Sequence, residues 1–389
     1  MQRTYDLIIW GASGFTGRLV AEYLAHHYAG RADAPRWAMA GRNADKLASV
    51  RDSIGAPADT PLLVADADDA ASIDALVAQG RVVLTTVGPY QLYGDTLINA
   101  CARAGTHYAD LCGEPAWMQT KIAAEDAAAR ASGACINFSC GFDSIPFDLG
   151  VFALQAECQK RFGAPAPRIK GRVRAMQGSF SGGTAASFRA TMAAAAKDPH
   201  VIAALTDSFA LTPGFRGPDQ PSGNVVEYDA ALGTWCAPFI MASINTKNVH
   251  RSNGLLGHAY GRDFVYDEML MTGPGDAGEA AARHVASTPM IGTANDPAPG
   301  EGPDKAERDA GHYDILFIAE YPDGRSARLS VKGDRDPGYG STSKMLAETG
   351  MTLLSAPVSG GIWTPGASIG SALITRLEEH AGLCFTVEG

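Results

Sequence analysis

The stretch Tyr5-Asp6-Leu7-Ile8-Ile9-Trp10-Gly11-Ala12-Ser13-Gly14-Phe15-Thr16-Gly17 decides the fold. A short apolar run, Tyr5 to Trp10, meets a glycine-rich turn, and apolar residues then recur at helical spacing from Phe15 to Tyr28. Strand, glycine turn and helix in that order open a β-α unit of the kind that binds a dinucleotide. Gly11 allows the tight turn, Gly14 lets backbone approach a pyrophosphate, and Gly17 lets the helix pack on the strand. The amides at the helix N-terminus then hold the phosphates. Candidate cofactor contacts are therefore Gly11, Ala12, Ser13, Gly14, Phe15, Thr16 and Gly17.

Working outward, the unit repeats. Strands are expected at Arg36 to Ala40, Pro61 to Ala65, Arg81 to Val87, His107 to Ala109 and Ala134 to Phe138. Helices fall between them, at Asn43 to Ile54, Ala70 to Ala78, Gly94 to Ala104 and Pro115 to Ala131. The β-branched run Arg81 to Val87 has the pattern of a strand buried on both faces. Six strands alternating with helices predict an α/β fold with a doubly wound parallel sheet of Rossmann type over residues 1–150.

After Pro146 the rhythm changes to an α+β domain on a mostly antiparallel sheet, residues 151–340. Ile169 to Gln177 alternates as a strand does, a Gly/Ser-rich loop at Gly178 to Thr184 leads into a helix at Ala185 to Lys197, and Trp235 to Ala242 is a further β segment. His312 to Val331 is a hairpin broken at Pro322-Asp323-Gly324. Asp207 to Val225 and Thr293 to Asp309 read as loops, the second flexible. Ser341 to Ser355 and Ser371 to His380 read as helices, and Leu383 to Val387 as a last strand.

Composition removes several classes of function. The 389 residues carry 32 Lys and Arg against 42 Asp and Glu, net −10, which gives no electrostatic footprint for nucleic acid or an anionic membrane. Seven cysteines include no Cys-x-x-Cys pair, and nine histidines show no metal-like spacing, so no metal is expected. Residues 349–375 lack charge, yet Pro357, Pro365, Gly360, Gly361, Gly366 and Gly370 interrupt them, which argues for buried loop and helix over a membrane span. No secretory leader is visible at the start, and a cytoplasmic location is the expectation.

The end of the second strand bears on which dinucleotide binds. It reads Met39-Ala40-Gly41-Arg42-Asn43, with Lys46 one turn on and no acid for the ribose hydroxyls. Arg42, Asn43 and Lys46 therefore point to NADP rather than NAD. Asp66, after the third strand, is a candidate acceptor for the adenine amino group or a helix cap. Val87, Gly88, Pro89 and Tyr90, after the fourth, are candidate neighbours of the nicotinamide ribose.

These residues carry a resemblance. GASGFTG, AGRN, VGPYQLYGDTLINACARAGTHYADLCGE (87–114) and CGFDSIPFDLG (140–150) resemble the saccharopine dehydrogenase-like oxidoreductases, as does the tail GGIWTPGASIG. The branch they resemble contains the trans-acting enoyl reductases and the animal saccharopine dehydrogenase-like proteins. The resemblance implies that residues 341–389 return to the Rossmann domain, that the α+β domain is a substrate and dimerisation insert, and that the chain is a homodimer. It further implies NADPH-dependent reduction of a hydrophobic enoyl or acyl-type substrate in lipid or polyketide metabolism. An amino-acid C–N oxidoreductase and a non-catalytic dinucleotide-binding scaffold stand as alternatives.

For such a reduction the cofactor carries the hydride and the protein supplies the proton. Tyr90 and Tyr93 are candidate donors beside the nicotinamide. Asp110 clusters with Tyr108, Cys112 and Glu114, and Asp110 or Glu114 could instead cap the helix near Pro115. Asp143, in the loop after strand six, completes the catalytic candidates, although it could equally be a helix N-cap. The Gly178 to Thr184 loop either holds a substrate oxygen or is a plain strand-to-helix turn capped by Ser and Thr.

Overall fold

The computed structural model describes residues 3–388, arranged as two seven-stranded sheets that share an apolar core. The first is built from β1 (Tyr5–Trp10), α1 (Phe15–His27), β2 (Trp37–Gly41), α2 (Ala44–Ser53), β3 (Leu62–Val64) and α3 (Ala70–Val77). It continues through β4 (Gly80–Thr85), α4 (Tyr90–Tyr93), α5 (Asp95–Ala104), β5 (His107–Ala109), α6 (Pro115–Ser132) and β6 (Cys135–Asn137). The apolar runs of β1 and β4 are central because both of their faces are covered, leaving Leu7, Ile8, Ile9, Val82, Val83 and Leu84 fully buried.

α7 (Ile145–Phe162) leads away to β7 (Arg168–Gln177), α8 (Gly182–Ala195), α9 (Pro199–Thr206), β8 (Glu227–Asp229), β9 (Thr234–Pro238) and α10 (Ala242–Leu255). Then come β10 (Val265–Gly273), α11 (Gly275–Ser287), α12 (Lys305–Ala310), β11 (His312–Glu320) and β12 (Ser326–Gly333). The chain closes with α13 (Thr342–Ser355), β13 (Gly361–Trp363), α14 (Pro365–Arg376) and β14 (Leu383–Glu388). The second sheet runs β14-β12-β11-β7-β10-β9-β8, antiparallel except for β7 and β10.

The first sheet is parallel throughout, in the order β13-β6-β5-β4-β1-β2-β3. It has seven strands where six are expected. The seventh, β13, comes from the uncharged stretch read as loop and helix, and its three residues pair with Cys135–Asn137. The final segment thus divides, β13 joining the first sheet and β14 the second. α9, α10, β10 and α11 are elements that the sequence reading leaves out, and two other departures are local. Asp304 and Glu307 form a reciprocal capping box that turns the end of the supposed flexible loop into α12. α14 starts at Pro365, six residues before the expected Ser371. No helix among the described residues is long and apolar enough to cross a membrane.

Strand order reverses between β1 and β4, so the loops after these strands, residues 11–14 and 86–89, diverge around a crevice at the carboxyl edge of the sheet. The loop after β7, helix α8 and the start of α10 roof that crevice.

Candidate active site

The floor of the crevice is the glycine turn. Gly11 has φ +90°, and a Cβ there would lie 2.7 Å from Val87 Cγ2. At Gly17 a Cβ would lie 2.1 Å from the Gly11 carbonyl oxygen, so only glycine lets α1 sit this close to the turn. Gly11 and Ala12 N–H both donate to the Ala40 carbonyl (3.0 and 3.1 Å), which pins the turn to β2. Gly14 occupies the N-cap of α1 with no side-chain cap, and the first turn holds no acid, so its amides and positive dipole end face the crevice. A close-set backbone cradle with uncapped amides fits a dinucleotide pyrophosphate. Phe15 turns the other way, edge-on to Tyr339 with the Arg18 and Arg308 guanidiniums against its ring; Ser13 packs by Gly41.

At the end of β2, Arg42 is exposed and has no hydrogen-bond or ion-pair partner among the described residues, and Lys46 lies one turn away, also exposed. The Asn43 side chain caps α2 by accepting from Lys46 N–H (2.8 Å). Asp66 is exposed and accepts from Asp68 N–H, while the cap of α3 is Asp69.

A cleft of about 250 Å³ extends from the crevice toward the second sheet. Thr16, Thr86 and Gly88 border its cofactor end, and Phe180, Phe188, Leu205, Ile240, Ile244 and Ile291 form an apolar arm. Among the described residues its lining contains no Arg, Lys or His. Gly88 faces Ser187 on α8, which brings the roof down onto the β4 loop.

The four catalytic candidates separate. The Tyr90 phenol is buried, donates to the Thr85 carbonyl (3.3 Å) and accepts from Leu111 N–H (3.0 Å), and burial raises its pKa well above 10. It is a brace between the loops after β4 and β5. Tyr93 lies outside the cleft lining, 43% exposed, because α4 is a single turn and its far end faces solvent. Asp110 is fully buried; its carboxylate accepts from Tyr108 OH (2.9 Å), Cys112 N–H (3.0 Å) and Ser139 N–H (2.8 Å), and desolvation lifts its pKa to about 7. It ties the ends of β5 and β6 together and holds Ser139 at φ +58° against the cleft.

Of the four, Tyr90 and Asp143 line the cleft, and Asp143 is the one whose side chain is not engaged elsewhere. Its partly buried carboxyl lines the cavity without a hydrogen-bond partner among the described residues, and desolvation pushes its pKa up to about 6. Nor is it an N-cap, since α7 begins after Ser144 without a side-chain cap. Glu114, a possible cap for α6, turns instead to α4, accepting from Tyr90 N–H (2.8 Å) and from the backbone and side-chain N–H of Gln91 (both 2.9 Å).

Two residues that sequence reasoning missed complete the roof. Tyr339 is 4% exposed, and its hydroxyl meets Ser181 N–H and Thr184 Oγ1 (2.8 Å) above the start of α1. Glu301 gives its carbonyl to Gly182 N–H (3.0 Å), so the second glycine loop is a Ser181-capped turn closed by the loop at 297–301, with Phe180 and Thr184 left on the cleft. Tyr339 sits between two glycines, Gly338 and Gly340, a context that reads as a turn and gives no hint of the site.

A family model described as the saccharopine dehydrogenase NADP binding domain matches residues 7–136. A Mycobacterium tuberculosis protein, named as a candidate trans-acting enoyl reductase, is 39% identical over 96% of both chains. The trans-acting enoyl reductase of Mycobacterium bovis is 35% identical over 97% of this chain and 96% of its own. Among solved structures, the apo saccharopine dehydrogenase (L-Glu forming) of Saccharomyces cerevisiae covers 99% of this chain and 100% of its own at 11% identity and a TM-score of 0.49.

Proposed function

The chain belongs to the saccharopine dehydrogenase-like family, in the branch of the trans-acting enoyl reductases, and from this premise we propose that it is an NADPH-dependent reductase of α,β-unsaturated thioesters in lipid or polyketide assembly. The broader statement, an oxidoreductase dependent on a nicotinamide dinucleotide, follows from the family itself. The observation that carries the narrower one is the cleft: an apolar arm without a cation, joined to the glycine cradle, with one carboxyl, Asp143, that has no hydrogen-bond partner among the described residues.

Gly11, Gly14 and Gly17 would hold the pyrophosphate, and Arg42 with Lys46 the 2′-phosphate, for which no acid competes at the end of β2. When bound, the dinucleotide supplies the hydride. Asp143 carries the proton that the reduced product requires, with a pKa of about 6 that suits a donor working near neutrality. Ser139 and Tyr90 shape the loops on either side of it. Phe180, Phe188 and Ile244 bind the acyl chain and exclude water. An amino acid would bring a carboxylate into a cleft that has no cation to receive it, which favours the thioester over the C–N alternative.

The test is NADPH oxidation with a medium-chain enoyl thioester, alongside amine-dependent reduction of NADP. Turnover of the thioester is expected, and turnover of the amine alone overturns the reading. Asp143→Asn is expected to lower kcat roughly hundredfold with NADPH affinity unchanged. Arg42→Ala is expected to weaken NADPH roughly ten- to hundredfold and leave NADH unaffected. Tight NADPH binding without turnover of any thioester points to the scaffold alternative.

A further inference from the structure

α10 touches the catalytic cleft only at its beginning, where Ile244 lines the apolar arm. Seven residues on, about 10 Å along the axis, Arg251 lies in a second cavity of about 290 Å³. Arg251 is 3% exposed. Two of its donors are bound, Nη1 to the Leu211 carbonyl and Nη2 to the Ile362 carbonyl (both 2.6 Å), while its Nε–H is buried without a partner. Among the described residues it has no carboxylate within ion-pair distance; Asp126, the acid that acts on it from further off, is taken by Arg130 (2.7 Å) and Ile362 N–H (2.8 Å).

Two more buried polar atoms lack partners in the same cavity, Thr212 Oγ1 and His258 Nδ1. A second guanidinium, Arg262, also lines it, 5.0 Å from the centre of the Phe215 ring, and the His258 ring packs on the same phenylalanine (4.3 Å between centres). Among the described residues no Asp or Glu lines the cavity. A buried guanidinium without a counter-charge is costly, and three residues lining one cavity, each with an unpartnered buried polar atom, are unusual in a folded chain. Both costs fall if an oxyanion occupies the space and the lining side chains turn to it, since it can accept from Arg251, the Thr212 hydroxyl, His258 and Arg262.

We propose that this cavity is a binding site for a single phosphate-type oxyanion, separate from the dinucleotide and held by Arg251, Arg262, Thr212 and His258. Two sources share that chemistry, free phosphate and the phosphate of a pantetheine arm carrying a substrate. The site does not depend on the function assigned to the cleft.

The test is calorimetric titration of the full chain with inorganic phosphate and, separately, with pantetheine phosphate, in parallel with the histidine ring resonances in NMR. Saturable phosphate binding that shifts one histidine is expected. The Arg42→Ala variant should retain it, because that substitution removes only the dinucleotide's phosphate partner. Arg262→Met keeps an apolar stem on Phe215 and removes the charge, and should weaken binding about tenfold. Thr212→Val, nearly equal in size, should weaken it less. If pantetheine phosphate binds much more tightly than phosphate with the same dependence on Arg262, the source is the carrier arm; equal affinities mean the free anion. Binding that disappears in Arg42→Ala and ignores Arg262→Met belongs to the 2′-phosphate end of the dinucleotide site and overturns the proposal. Absence of saturable binding means that water alone satisfies these groups, and overturns it equally.

Discussion

Replacing Glu114 by alanine tests how the cofactor crevice is held. Glu114 is 4% exposed, and its carboxylate receives the first two backbone N–H groups of α4 and the Gln91 side chain. Glu114→Ala leaves two buried backbone donors without an acceptor. Each such donor costs about 1–3 kcal/mol, or roughly 2–6 kcal/mol together. Gly113 and Glu114 border the cleft, so water can reach the vacated space and the lower half of that range applies, about 2–4 kcal/mol. In a chain of this size that corresponds to a fall of roughly 2–5 °C in melting temperature. Because α4 fixes the end of the Val87–Pro89 loop, the variant should also gain less stability than the wild type from saturating NADPH. Differential scanning calorimetry with and without nucleotide reads both effects. Glu114→Gln retains one acceptor oxygen and should fall about halfway. A Glu114→Ala variant that melts with the wild type and responds equally to NADPH refutes the reasoning.

Other expectations follow from single contacts. Gly17→Ala drives a Cβ into the Gly11 carbonyl and should abolish NADPH binding in a fluorescence titration while far-ultraviolet circular dichroism stays unchanged; normal binding would show that the cradle is not the phosphate site. Asp110 has a folded-state pKa of about 7 against an ordinary 3.8, so between those values the native state holds a proton the unfolded chain has lost, and stability falls as pH rises. Asp110→Asn should remove that contribution, a slope of up to about 1.4 kcal/mol per pH unit, from denaturant unfolding measured across this window. Glu348 is fully buried and accepts from Tyr23 OH (2.7 Å), Tyr28 OH (2.8 Å) and the Arg376 guanidinium (2.8 Å). Arg376→Met should therefore cost about 3–5 kcal/mol, read as a lower urea midpoint, and Glu348→Gln in the same chain should restore part of it.

The first sheet was legible because its signals are local. Six β-α units declare themselves through apolar runs, glycine turns and helical spacing, each within a few residues. β13 was not legible: Gly361-Ile362-Trp363 is too short to show a period, and what makes it a strand is the open edge of β6. α10 hid for a different reason. Asn245, Lys247, Asn248, His250, Arg251, Ser252 and Asn253 are all buried, so the helix has no apolar face to read. Its burial rests on partners elsewhere, such as Glu268 for Asn245 (2.8 Å) and the Leu205 carbonyl for Lys247 (2.9 Å). At the site, the glycine turn and Asp143 stood out in the sequence. The setting of Glu114 did not, since a residue placed to cap the helix it precedes is captured by another helix with uncapped amides. Tyr90 and Asp110 were legible as residues of interest but not as braces, because that role depends on Leu111, Ser139 and Cys112 backbone groups.

The divided final segment governs the order in which the chain can assemble. β6 finds its outer neighbour in β13, more than two hundred residues later. A nascent chain leaving the ribosome therefore presents five completed strand pairings and a β6 edge without its partner until almost all of it has been made. That edge is the natural point for mispairing between unfinished chains. β12 waits in the same way for β14. Loss of the last thirty residues would thus strip one edge from each sheet, and such a truncation should aggregate during synthesis rather than fold into a smaller protein.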